Sequence, residues 1–471
     1  MIENRSLLHA LPLLVFPTLL FIYVLTLPPS LTWTHYGADG GDLVTAVALG
    51  RLPHPPGFPT YLLLGSAFVR LPWGDPAWRL NLLSALSAAG AAGLTAAAFY
   101  RASSSAVVAL ATGLSLGLAP LFWSQALIAE VYAPAAFFSA AILFLTLRRA
   151  PAWLLGVVWG LGVGVHPTLL FLAPLVLMGN HGLHGFHGLK GISALLRVHP
   201  RPIFFALLTA GALYGPVLLA WGTTPSPWAD FSTPAGWWAY VSGRLYHGYL
   251  FGLPAAFWPR RLLAWVSLLA RQFTPAGALL ALWGWARLWW SDRGLALATA
   301  LAFGAVSLYA VGYNTADSLV YLVPALPLAA FWLGVGLDAA IRVVSSVFRF
   351  PRPLLPASCL LLPALQAALF WGQVDLHRDR SAVAWATQTL QTAPADAVLL
   401  TAQDGATFAL WYVRDVLGQR SDALVVDRDL WYHPSYRRIV LQELGLESAP
   451  ADLDEALARI DRPIVDVTNN D

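Results

Sequence analysis

Long apolar runs separated by short polar connections dominate the chain. The runs at roughly 8–27, 80–100, 105–122, 132–147, 152–165, 167–179, 203–221, 273–290, 294–312, 318–341 and 354–371 approach the about 20 residues a spanning helix needs. They predict an all-α polytopic membrane protein with about eleven transmembrane helices. The pair 152–165 and 167–179 is interrupted at His166-Pro167, where proline removes a backbone donor. It reads either as a helical hairpin or as one kinked span. From residue 372 the apolar runs shorten. Val398–Thr401 and Ala423–Val426 read as short buried strands, and Ala382–Leu390 and Asp454–Ile460 as helices. The expected division is a transmembrane domain over 1–371 and a small C-terminal α/β domain over 372–471.

Composition agrees with this pattern. Hydrophobic residues make up 58% and charged residues 11%, against roughly a quarter charged in soluble domains. A net charge of +3 gives no reason to expect nucleic acid as a partner, and a lone cysteine, Cys359, excludes an intrachain disulfide. Lysine and arginine concentrate in one set of short connections, including Arg5, Arg101, Arg148, Arg149, Arg287, Arg293 and Arg342. The positive-inside rule puts these in the cytoplasm. A multi-pass protein of the cytoplasmic membrane follows, with loops 28–79 and 222–272 and the C-terminal domain extracytoplasmic.

That assignment brings Asp39, Asp42, His54, Glu130 and His166 to one membrane face. Ionisable groups at membrane depth are costly and mark function. The first outer loop carries most of them, in Asp39-Gly-Gly-Asp42 and His54-Pro-Pro-Gly-Phe-Pro-Thr-Tyr61. Asp39, flanked by glycine, is the candidate general base. Asp42 precedes an apolar helical run and reads equally as a helix N-cap. His54 sits in a proline-fixed turn, as a structural corner or as an orienting group beside the acids. Arg79 and Asn81 open a helix, for a loop salt bridge or for ligand contact. Glu130 reads as a helix-start carboxylate or as an orienting acid. His166 reads as a hydrogen-bonding partner at the helix break or as a site residue. Arg244, Arg260, Arg261 and Arg271 are candidates for a lipid phosphate, since guanidinium pairs with phosphate bidentately. The glycine-interleaved His181, His184 and His187 read as a solvated loop. No metal site is expected; a divalent ion is compatible with the sequence but not implied by it.

At these residues the chain resembles a large bacterial membrane family that also contains the animal O-mannosyltransferase acting on plexin and related receptor ectodomains. The resemblance rests on Asp39-Gly-Gly-Asp42-Leu, the His54–Tyr61 stretch, Arg79-Leu-Asn81-Leu-Leu-Ser84-Ala85, and Trp123 with Glu130-Val-Tyr132. Gln403-Asp404-Gly-Ala-Thr-Phe408-Ala-Leu-Trp411-Tyr412 extends it into the tail. Asp42 stands where the family commonly has glutamate, and Gln403 where it has glycine. The resemblance implies a GT-C-like fold and an enzyme, a polyprenyl-phosphate-sugar-dependent glycosyltransferase. It would transfer a hexose, mannose favoured, to an acceptor hydroxyl of protein Ser/Thr or a glycan at the outer membrane face. Asp39, Asp42 and His54 would be catalytic; Tyr61, Arg79, Asn81, Glu130, His166 and the four arginines would bind substrate. The alternative is a lipid or solute transporter without glycosyl transfer, because broken helices with polar groups also suit transport.

Overall fold

A computed structural model of the chain describes residues 5–178, 200–222, 225–347, 354–446 and 452–468; the His181–His187 stretch lies outside them. Helices dominate. Among the described residues, five are long and apolar enough to cross a membrane: Pro76–Ser103, Pro200–Ala220, Arg293–Gly312, Ser318–Val347 and Leu355–Val374. Ala106–Gly117 and Pro120–Ala126, bent by 67°, make a sixth if they form one span. This is the architecture of a multi-pass membrane protein.

The expected eleven spans are not all of spanning length among the described residues. Tyr132–Leu147, Ala152–Val163 and Pro167–Met178 are apolar but shorter, at 10–17 residues, whereas the expected first span is a 22-residue helix, Arg5–Thr26. Prolines set two of the breaks within the expected spans. Ala119 is extended, with φ −65° and ψ 129°, immediately before Pro120, as the clash with a following proline ring demands. His166 is extended before Pro167 in the same way. The expected break at His166-Pro167 is therefore present. It is followed by a 3-10 turn, Pro167–Leu172, and a short helix, Ala173–Met178.

The helix Pro76–Ser103 is the central post. Ala85, Ala88, Ala89, Ala92 and Ala96 are fully buried, and the helix packs against Arg5–Thr26, Ala106–Gly117 and Tyr132–Leu147. Small side chains let helix backbones approach closely where lipid offers no hydrophobic drive between helices. The helix Trp258–Gln272 exposes Leu262, Leu263 and Val266.

The tail holds a three-stranded parallel sheet. Its central strand β1 (Val398–Thr401) pairs with β2 (Leu424–Asp427) on one side and β3 (Ile464–Asp466) on the other. Val398 stands opposite both Leu424 and Ile464. Every residue of β1 and β2 is buried, which explains the apolar runs Val398–Leu400 and Leu424–Val426, as in parallel strands covered on both faces. The helix Asp404–Trp411 begins just beyond the carboxyl end of β1. It packs on the helix Gly40–Leu49 of the first loop.

Candidate active site

The first loop folds as a turn at Thr34–Asp39, the helix Gly40–Leu49, the His54 turn and the helix Pro59–Phe68. Asp42 is not the N-cap that its position suggested. The helix starts at Gly40, so Asp42 falls in its first turn. Its carboxylate turns instead to His54. Asp42 Oδ2 accepts from the His54 backbone N–H at 2.7 Å and lies 2.8 Å from His54 Nδ1. Asp39 occupies the N-cap position without making a capping bond. Its Oδ2 lies 3.8 Å from His54 Nε2, so the imidazole stands between two carboxylates. Asp42 is almost wholly buried, at 5% side-chain exposure, whereas Asp39 keeps 36%.

The His54 turn is locked from outside. The Tyr240 hydroxyl donates to the Pro53 carbonyl at 2.6 Å. Gly57 has φ 92°, and a Cβ there would lie 2.7 Å from the Tyr240 ring. Glycine is required on both counts. Phe58, Trp228 and Tyr246 pack around the imidazole at centroid distances of 5.1, 6.3 and 6.4 Å.

Burial by itself would lower the His54 pKa, but the charge of Asp39 and the hydrogen bond and charge of Asp42 outweigh it, raising the pKa to about 9. The ring is then an imidazolium at neutral pH. Burial raises the Asp39 pKa above the ordinary carboxylate value; His54 opposes this, and Asp317 and Asp42 reinforce it.

The tail supplies a residue that sequence reasoning did not single out. Burial and then the nearby charge of Asp39 raise the Asp404 pKa to about 6. Asp404 is held close because its helix docks tightly on the first loop. A Cβ on Gly41 would meet the Phe408 backbone at 2.6 Å, and one on Gly405 would lie 3.7 Å from the Ala38 Cβ. Trp33 Nε1 donates to the Gly405 carbonyl at 2.9 Å. The only signal in the sequence was the motif Gln403–Tyr412 itself, whose acid had no visible partner.

The other expected site residues divide. Glu130 and Tyr61 are buried, and Glu130 Oε1 and the Tyr61 hydroxyl lack a hydrogen-bond partner among the described residues. His166 stacks between Phe58 and Tyr321, at 6.1 and 5.6 Å, and its Nδ1 accepts from the Thr168 N–H. It is both the cap at the helix break and part of the wall behind the site. Arg79 and Asn81 are structural. The Arg79 guanidinium donates to the carbonyls of Val69, Trp73 and Gly74, and Asn81 donates to the Ser30 carbonyl. Arg261 donates to the carbonyls of Tyr313 and Thr315, and Arg271 to Gln373. Arg244 and Arg260 are exposed, with guanidinium groups that make no hydrogen bond or ion pair among the described residues. Arg244 lies on the turn that brings Tyr246 over His54. No group of three or more His, Cys, Asp or Glu residues is arranged to hold a metal ion among the described residues.

Residues 39–181 match the family described as Protein O-mannosyl-transferase TMEM260 N-terminal domain. The chain is similar to TMEM260 in this segment. The mouse protein O-mannosyl-transferase TMEM260 is 35% identical over 135 residues, which are 28% of this chain and 19% of that protein; the chain spans about a fifth of the length of this curated relative. The TMEM260-like segment begins at Asp39 and holds Asp42, His54, Tyr61, Glu130 and His166, but neither the four arginines nor Asp404. The fold is similar over most of the chain to that of two solved structures. ArnT from Cupriavidus metallidurans, bound to undecaprenyl phosphate, superposes with a TM-score of 0.57 at 15% identity, covering 93% of this chain and 96% of ArnT. The Archaeoglobus fulgidus oligosaccharyltransferase, tethered with an acceptor peptide, gives 0.50 at 12% identity over 93% of this chain and 68% of that one. At such identities the likeness concerns the fold alone.

Proposed function

We propose that this protein is a membrane glycosyltransferase that moves a hexose, mannose first, from a polyprenyl-phosphate donor to an acceptor hydroxyl, protein Ser/Thr foremost. The reaction takes place at the extracytoplasmic face, and the tail from 372 is a domain that closes over the site. The observation that carries this reading is the placement of His54 between a buried carboxylate that fixes it and a partly exposed one that remains open.

In this mechanism Asp39 is the general base. Its pKa, raised by burial, strengthens it as a base. The acceptor oxygen attacks C1 of the hexose as its proton passes to Asp39. The bond from C1 to the phosphate oxygen breaks, and polyprenyl phosphate leaves with the electron pair. Configuration at C1 inverts. The leaving phosphate is weakly basic and needs charge neutralisation rather than a proton. Arg244 and Arg260 serve that need, while Arg261 and Arg271 act as braces. His54, held as imidazolium, balances the clustered acids and keeps Asp39 in place. TMEM260 is named an O-mannosyl-transferase and the ArnT structure holds undecaprenyl phosphate; both support this choice of sugar and donor. The direct test gives purified protein in nanodiscs polyprenyl-phosphate-mannose and a panel of peptide and glycan acceptors. Product from wild type but not from Asp39→Asn is expected; transfer by folded Asp39→Asn at the wild-type rate would overturn the assignment.

A further inference from the structure

Tyr132 ends the Glu130-Val-Tyr132 motif and has no part in the chemistry described so far. It opens the helix Tyr132–Leu147 and joins a closed circuit of aromatic rings. From His54 the ring contacts run through Phe58 to His166 on one side, and through Tyr246 and Tyr249 to Tyr313 on the other. Tyr321 closes the circuit, 5.6 Å from His166 and 5.2 Å from Tyr313. Tyr132 packs on both His166 and Tyr321 at 5.7 Å.

The circuit stands at the candidate base. Asp39 Oδ2 lies 3.8 Å from His54 Nε2, and the Tyr246 ring is 6.4 Å from the same imidazole. Burial and then the charges of Asp39, Asp42 and Asp404 raise the Tyr246 pKa, so its hydroxyl keeps its proton. The charge of Asp39 also acts on the Tyr132 hydroxyl, with those of Glu130 and Asp317. Neither hydroxyl makes a hydrogen bond among the described residues, and both keep accessible surface, unlike the enclosed hydroxyl of Tyr61. A guest beside Asp39 can therefore reach them.

The surroundings select the guest. Asp39, Asp42, Asp317 and Asp404 act on one another around the single imidazolium of His54. An anion is repelled there, so the donor phosphate belongs farther out, at the arginines. A polyprenyl chain would be better served by an aliphatic wall. A phenol offers an apolar face and a polar edge, which match the C–H face and the hydroxyl rim of a neutral pyranose. The donor hexose must also come to this place, because the oxygen that attacks its C1 gives its proton to Asp39.

We propose that Tyr132 and Tyr246 recognise the donor hexose, their hydroxyls bonding its ring hydroxyls beside Asp39. The inference deepens the glycosyltransferase reading and rests on it.

The test is a binding measurement. Full-length protein in nanodiscs is titrated with short-chain polyprenyl-phosphate-mannose, polyprenyl-phosphate-glucose and bare polyprenyl phosphate. Wild type should prefer at least one glycosylated lipid over the bare phosphate. Tyr132→Phe and Tyr246→Phe keep the rings, and so the circuit, and remove only the hydroxyls. Each should bind the preferred glycosylated lipid about three- to tenfold more weakly, the worth of one neutral hydrogen bond, and bind bare polyprenyl phosphate as wild type does. Equal binding of all three lipids by wild type, an unchanged preference in either variant, or a parallel loss for the bare phosphate would overturn the proposal. The transferase reading is judged separately, by product from wild type. A wild type that makes product while both variants keep its lipid preference loses this inference alone.

Discussion

Asp42 holds His54 twice, accepting its backbone N–H at 2.7 Å and facing its Nδ1 at 2.8 Å. One buried carboxylate thus fixes both the turn and the ring, and turns Nε2 towards Asp39. Replacing Asp42 by asparagine removes the charge but keeps the shape. The His54 pKa should fall from about 9 towards its ordinary value, and transfer should drop by at least tenfold. Titration of the imidazole by NMR checks the first, and turnover of the folded variant checks the second.

The same pair gives a pH dependence of stability with a definite sign. The folded His54 pKa, about 9, lies above its ordinary 6.5. Its stabilising contribution is fully present below about pH 6.5 and is lost as the pH rises through about 9. Thermal unfolding in detergent should therefore give a Tm that declines across this window in wild type and declines less in His54→Gln. An equal decline in both would contradict the assignment.

The rate should follow a bell. Its acid limb reports Asp39, displaced above the ordinary carboxylate value by burial, and its basic limb reports loss of the His54 proton near pH 9. Asp404→Asn should move the limbs without unfolding the protein, since Asp404 acts on its neighbours through charge. A pH–rate series on wild type and Asp404→Asn measures this; superimposable profiles would remove Asp404 from the site.

Gly41→Ala should separate the tail from the first loop. The added methyl would stand 2.6 Å from the Phe408 backbone, which cannot move aside as a flexible side chain can. A destabilisation of about 1–3 kcal/mol and a large loss of activity are expected. Gly372→Ala, with nothing within 4 Å of the new Cβ, is the matched control and should be silent in a thermal melt.

Among the arginines, Arg244→Ala should raise the KM for the lipid donor at least tenfold. Arg271→Ala, which loses only an exposed bond to Gln373, should leave it near wild type. Steady-state kinetics at varied donor concentration separates them.

Much of this was legible in the sequence because local chemistry set it. The strands β1 and β2 were plain from their apolar runs, and the break before Pro167 from the proline. The gathering of Asp39, Asp42 and His54 was visible because they are close in sequence. What was hidden depends on distant packing. The helix at Gly40 begins two residues before Asp42, so the carboxylate looked like a cap although it serves His54. Arg79 read equally as a loop salt bridge or a ligand contact because the three carbonyls it satisfies carry no sequence signature. Asp404 was hidden because the charge that acts on it, Asp39, lies more than three hundred and sixty positions earlier. Short helices such as Tyr132–Leu147 looked like full spans because hydropathy does not register where a helix ends.

The bond from Trp33 to the Gly405 carbonyl joins residues 372 positions apart. At about 5–20 residues per second, the ribosome needs roughly 20–70 seconds to make the second half of that contact. Throughout that interval the first loop already carries Asp39 and His54 but lacks the helix that seats them. A truncated or half-made chain thus lacks the helix Asp404–Trp411 that packs on the first loop.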